Sequence, residues 1–170
     1  QMRSKAAPKY GSEKSGAPTN YYITLSPEPV LITNAALEDC EVVISPDHMV
    51  FMHDNPLRGL VRGGTFIVQS NLEPKVFWAS LPRRARDIIR EKQINLFILD
   101  AFKVAEDRAP NPDLRTRMMG VAFIGAVATK VDRIAKGANE AAMLEKIREQ
   151  ITKKFGSKGA AVVEANMEVV

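Results

Sequence analysis

"INLFILDAFKVAED", residues 94–107, is the stretch that decides the fold. Ile94–Leu99 reads as a short apolar strand, Asp100 stands at its carboxyl end, and Ala101–Ala109 reads as a helix directly behind it. A strand too apolar to alternate is buried on both faces, and one that runs straight into a helix belongs to a βαβ arrangement. Working back, Pro82–Lys92 places Ala85, Ile88 and Ile89 on one helix face. Gly63–Gly64 opens another strand, Thr65–Gln69, and Glu41–Ile44 is a further one. Ser45–Pro46–Asp47–His48 then reads as a helix start, with Ser45 as N-cap and Pro46 at the first helical position, where its missing N–H costs nothing. Thr19–Leu25 is a β-rich run closed by Ser26–Pro27, and Val30–Thr33 is a shorter one. The two are expected to form a hairpin around Ser26–Pro27–Glu28–Pro29.

Working forward, Asn111–Pro112–Asp113 repeats the cap-and-proline start and leads into a long helix, Leu114–Lys130. Met118–Ala128 is apolar on every side, so this helix is expected to be covered over most of its surface. Leu144, Ile147, Ile151 and Phe155 mark one face of the next helix, which Gly156 is expected to stop. Val163, Met167 and Val170 mark a last one. Short buried strands alternating with longer helices indicate the α/β class. The expected form is a three-layer α/β/α sandwich around a largely parallel sheet, made mixed by the opening hairpin. No internal repeat or long linker divides the chain, so residues 1–170 are expected to form one domain.

The composition is ordinary for a globular protein, with 45% hydrophobic and 26% charged residues. The run from Met118 to Ala128 is shorter than the ~18–20 residues a membrane span needs, and Gln1–Lys9 has no apolar core of a signal peptide. A cytoplasmic protein is therefore expected. Cys40 is the only cysteine, which excludes an internal disulfide and any iron–sulfur cluster or structural zinc site built by this chain alone. His48 and His53 are off the i, i+4 spacing that lets two imidazoles share a metal on one helix face. The net charge of +4 permits nucleic-acid binding. However, the basic residues are interleaved with acids, as in Arg83–Arg84–Ala85–Arg86–Asp87, and no aromatic-studded strand accompanies them. No nucleic-acid partner is expected.

No catalytic constellation emerges. Gly11 and Gly16, and later Gly63–Gly64, invite a phosphate-loop reading, but Gly63–Gly64 precedes a strand instead of following one, and turn glycines explain both sets. Asp100 has the position of a catalytic acid in an α/β protein and equally that of a helix N-cap, and the helix start at Ala101 favours the cap. Glu13 and Lys14 suit either a solvated loop tip or a contact with a partner. From the residues alone the chain is a non-catalytic α/β domain whose opening loop is an interface. The alternative is an autonomous nucleotide- or acyl-CoA-binding module using Gly63–Gly64 and the basic residues around Arg58 and Arg62.

The stretch "PKYGSEKSGAPTNYYI" resembles the segment preceding a strand in the gamma subunit, or its domain III equivalent, of the 2-oxoacid:acceptor oxidoreductases, the pyruvate:ferredoxin oxidoreductase group. The resemblance continues through "GGTFIVQSN", "LDAFKVAED" and "RMMGVAFIGAVA" to "ITKKFGSKGAAVVEANMEVV", in order and over nearly the whole chain. It implies a part of a multisubunit enzyme that decarboxylates a 2-oxoacid oxidatively, usually yielding an acyl-CoA, with electrons passing to ferredoxin or another acceptor. Thiamine diphosphate, magnesium and 4Fe-4S clusters are then expected on alpha, beta and ferredoxin-like partner subunits. No catalytic residue, cofactor ligand or metal ligand is expected in this chain. Tyr10, Gly11, Ser12, Glu13, Lys14, Ser15 and Gly16 are implied to form a loop directed at neighbouring subunits, and Gly120 and Gly125 to permit close helix packing. In one respect the sequence departs from the family: the strand and G-x-G-G-Q-G turn that open its members are not found in these residues. The resemblance therefore implies that the first βα unit lies outside them. A sheet edge and some apolar surface would then be bare, and the chain alone would be unstable.

Overall fold

A computed structural model describes residues 3–9, 20–31, 37–131 and 139–170. Three strands, β3 (Cys40–Ser45), β4 (Leu60–Gln69) and β5 (Asn95–Leu99), form a parallel sheet in the order β3-β4-β5. The register sets Ile44 beside Ile67, and Ile67 beside Phe97. β4 lies in the middle and is buried from Gly64 to Gln69, as its near-continuous apolar run requires.

Strand alternation divides the core into two layers. Phe66 and Val68 of β4, with Leu96 and Ile98 of β5, face helices α1 (Pro74–Ser80) and α2 (Arg83–Glu91), where Phe77, Leu81, Ala85 and Ile89 are buried against them. On the other face Ile67, Phe97 and Leu99 meet α3 (Ala101–Arg108), α4 (Arg115–Lys130), α5 (Glu140–Phe155) and α6 (Ala160–Met167). The buried residues there include Ala101, Ala105, Met118, Ala122, Ile151, Phe155 and Val163. Each large side chain so enclosed contributes roughly 1.5–3 kcal/mol of hydrophobic stabilisation. The α/β class and the three layers are thus as the sequence indicates.

Several local expectations are corrected. Asn20–Ser26 is a strand, β2, but its partner is the preceding segment β1 (Arg3–Lys9), antiparallel with Arg3 opposite Ser26 and Lys9 opposite Asn20. Val30 and Leu31 are not in a strand, and the rest of Val30–Thr33 lies outside the described residues. The β1–β2 ribbon is a sheet of its own, so the central sheet is wholly parallel among the described residues. Asp47, not Ser45, caps the helical turn after β3, a short 3-10 segment over His48–Met52: its Oδ1 accepts from Met49 N at 2.8 Å. Ser45 Oγ instead donates to Asp47 O at 2.7 Å. Helix α5 ends at Phe155 with Gly156 (φ −57°) as its C-cap, as expected, but Gly156 leads into a 3-10 turn and the left-handed residue is Gly159, at φ 103°. Met118–Ala128 of α4 is buried or half-buried except at Gly120 and Ile124, as expected, while Leu144 on α5 is exposed.

Gly63 and Gly64 do not open β4; they lie inside it, at an irregularity. Cys40 pairs with Leu60 and Val42 with Thr65, so β4 carries extra residues here that β3 does not match. Gly63 takes φ 73°, and a Cβ on Gly64 would stand 2.7 Å from Leu60 Cδ1 and 3.1 Å from Glu41 O. The inserted backbone is bound to the α2–β5 turn: Gly63 N donates to Lys92 O (2.8 Å), Lys92 Nζ to Leu60 O (2.6 Å), Arg62 to Glu91 O (3.0 Å) and Asn95 Nδ2 to Gly63 O (3.0 Å).

Candidate functional site

Open parallel sheets bind ligands beyond the carboxyl ends of their strands, and a cleft of about 660 Å³ lies there. β3 contributes Pro46, Asp47 and His48, β4 leads to Gln69 and Asn71, and β5 leads to Asp100 and the first turns of α3. Gln69, buried, joins the last two strands: its Nε2 donates to Asp100 Oδ1 at 3.2 Å and its Oε1 accepts from Phe102 N at 3.2 Å. Asp100 Oδ1 also accepts from Lys103 N at 3.1 Å, making Asp100 the N-cap of α3. Lys103 Nζ is 3.4 Å from Asp107, and Arg115 is 2.7 Å from Glu106. Ser70 Oγ, also buried, accepts from Leu72 N at 3.2 Å.

These bonds commit Gln69 and Asp100 to holding the strand ends and the start of α3. Asp100 does what its place before Ala101 indicates. Gln69 was not singled out by the sequence, because its two partners lie 31 and 33 residues further on and nothing local marks it. Three carboxylates, Asp47, Asp100 and Glu106, face Lys103 and His48, a charge balance that disfavours a diphosphate. Among the described residues no three acidic, histidine or cysteine side chains converge as a metal site. Cys40, the only thiol, is half-buried and held above the ordinary thiol pKa, chiefly by burial and further by Asp39, with Lys92 opposing. With one cysteine the chain cannot by itself supply the four thiolates of an iron–sulfur cubane.

Gly63–Gly64 stands at the other end of the sheet and is no phosphate cradle, since Gly63 N already donates to Lys92 O and Arg62 to Glu91 O. That removes the glycines from the autonomous-module alternative. Tyr10, Gly11, Ser12, Glu13, Lys14, Ser15 and Gly16 fall outside the described residues, between β1 and β2 in sequence. A Cβ on Gly125 would fall 1.8 Å from Val170 O, so close packing requires this glycine, whereas around Gly120 nothing lies within 4 Å.

The sequence profile of the pyruvate ferredoxin/flavodoxin oxidoreductases matches residues 1–170, the full length given. The chain belongs to this family. Among its curated relatives, the putative pyruvate-flavodoxin oxidoreductase of Synechocystis is 28% identical over 169 residues and the pyruvate-flavodoxin oxidoreductase of Nostoc 29% over 163. Each alignment covers 95% of this chain and 13% of the relative, so the chain spans about an eighth of those proteins' length. The crystal structure of pyruvate oxidoreductase subunit PORC from Thermotoga maritima superposes with a TM-score of 0.62 over 99% of this chain and 76% of that one. At 20% identity this likeness concerns the fold. It agrees with the sandwich described above. No helix among the described residues is long and apolar enough to cross a membrane.

Proposed function

We propose that residues 1–170 are the gamma-type domain of a 2-oxoacid:acceptor oxidoreductase. In this reading the domain serves assembly and binds no cofactor of its own. The observation that carries it is the family match along all 170 residues by a segment amounting to 13% of relatives named for a pyruvate-flavodoxin reaction. The cleft supports it, because Gln69 and Asp100 there are bonded to each other and Asp100 is a cap. Thiamine diphosphate, magnesium and 4Fe-4S clusters then reside on alpha, beta and ferredoxin-like parts of a cytoplasmic complex. When bound there they supply decarboxylation and electron transfer to ferredoxin or another acceptor. Among the described residues β3 is an edge strand with Ile44 exposed on it, which suits pairing with another part of the protein.

The test is to purify from native cells whatever assembly contains these residues, and to assay iron, thiamine diphosphate and 2-oxoacid-dependent reduction of a viologen dye. Both cofactors together with dye reduction by at least one 2-oxoacid are expected. Recovery of the segment with neither cofactor overturns the reading.

A further inference from the structure

The β1–β2 ribbon shows its apolar side to solvent. Tyr21, Ile23 and Leu25, alternate residues of β2 and so on one face, are 62%, 56% and 50% exposed, while Tyr22, Thr24 and Ser26 on the opposite face are half-buried. An antiparallel sheet with one wet face normally alternates the other way, apolar in and polar out. Across the ribbon, Ala6 stands opposite Ile23 and Ser4 opposite Leu25, both exposed and too small to cover them. The row amounts to on the order of 300 Å² of largely apolar surface, comparable to the largest patch on a typical monomer, which is often functional. Among the described residues the ribbon's main packing is between its own two strands. Alone in water such a ribbon is marginal.

We propose that the Tyr21–Ile23–Leu25 face docks on an apolar patch of another domain of the same oxidoreductase. The inference rests on the reading above. Two observations select this occupant. The curated relatives carry about seven-eighths of their length outside the matched segment, so a far larger protein body adjoins it. Ser4, Ala6, Tyr21, Ile23 and Leu25 include no charged residue, and an uncharged apolar face suits a permanent interface and not the brief, charge-steered encounter of a soluble electron carrier.

The experiment uses the assembled oxidoreductase with Ile23→Cys or, as control, Leu31→Cys, at a residue 88% exposed. Alkylation of each introduced thiol is followed by peptide mass spectrometry, and lysine cross-links from Lys5 are mapped in the same preparation. Labelling at position 23 is expected to be at least about tenfold slower than at position 31, with Lys5 linked to a peptide outside residues 1–170. Equal labelling in an assembly that carries iron and thiamine diphosphate overturns the ribbon proposal while leaving the gamma-type reading standing. Links from Lys5 only to a second copy of this segment also overturn it. An assembly without either cofactor overturns the gamma-type reading, and the proposal with it. If Ile23→Cys blocks assembly, Ile23→Ser and Thr24→Ser replace it: loss of assembly with the first alone supports the proposal, and loss with both or neither overturns it.

Discussion

Gly120 and Gly125 lie on the same helix, yet the same substitution is expected to move stability in opposite directions. At Gly125 an added Cβ meets only backbone: Val170 O at 1.8 Å, its carbonyl carbon at 2.8 Å and its Cα at 3.1 Å. Turning the Val170 carbonyl could move its oxygen aside but not its carbon and Cα together, so Val170 must withdraw by about half an ångström or more, beyond the tolerance of a close-packed contact. That movement draws the adjoining Val169, itself buried, out of the core. Overpacking costs about 1–3 kcal/mol, and partial exposure of a valine adds about 1 kcal/mol. The better helix propensity of alanine returns about 1 kcal/mol. Gly125→Ala should therefore destabilise by about 1–3 kcal/mol. At Gly120, exposed and with open space around the built Cβ, only the propensity gain remains, and Gly120→Ala should stabilise by about 0.5–1 kcal/mol. Urea unfolding of the whole protein that contains these residues, read by the protection of the α4 peptides from proteolysis, gives both midpoints against one slope. A Gly125→Ala midpoint at or above that of the parent would refute the packing argument, as would a Gly120→Ala loss beyond about 1 kcal/mol.

Asp100→Ala removes the acceptor of both Lys103 N and Gln69 Nε2 and should cost about 1–2 kcal/mol in the same assay; Asp100→Asn, which keeps an acceptor, should cost less than half as much. Asn166 is wholly buried, with its Nδ2 donating to Val162 O at 2.7 Å and its Oδ1 unpartnered. Asn166→Leu should thus be neutral or stabilising by up to about 1 kcal/mol, and a loss above about 2 kcal/mol would reveal a buried donor to Oδ1. The folded state holds the Cys40 thiol above its ordinary pKa, so it favours the neutral form. The resulting stabilisation is complete below the unfolded thiol's pKa and is lost as pH rises through the folded one. Iodoacetamide should accordingly label Cys40 at pH 8 several-fold more slowly in the folded chain than in urea, and a folded rate equal to the unfolded one would contradict this.

The parallel sheet and its helices were legible because their signals are local. Ile94–Leu99 is too apolar for a surface strand, and Asp100 stands where a cap belongs. The ribbon's pairing was not legible. Val30–Thr33 is β-branched and adjacent, whereas β1 is the sequence RSKAAPK, poor in strand formers, and pairs with β2 only through long-range register. The choice between Ser45 and Asp47 as cap turned on which side of Pro46 the helical turn begins, and both residues have the chemistry. Gly156 was legible as the end of its helix, but only the observed φ places the left-handed residue at Gly159. At the cleft, Asp100 was visible as a cap, but Gln69 was not, because a glutamine at the end of a strand has no local role until β5 is placed beside it.

The irregularity in β4 sets the phase of the whole sheet. A slip of β4 by one residue would send Phe66 and Val68 into the layer of α3–α6 and Ile67 into that of α1 and α2, exchanging the two cores. Between them, β4 and the α2–β5 turn place four bonds, through Leu60 O, Arg62, Gly63 N and Gly63 O, that hold only in one alignment. Polar contacts at the amino end of β4 thus hold the same alignment that the apolar pattern requires, so the two reinforce one assignment of side chains to layers.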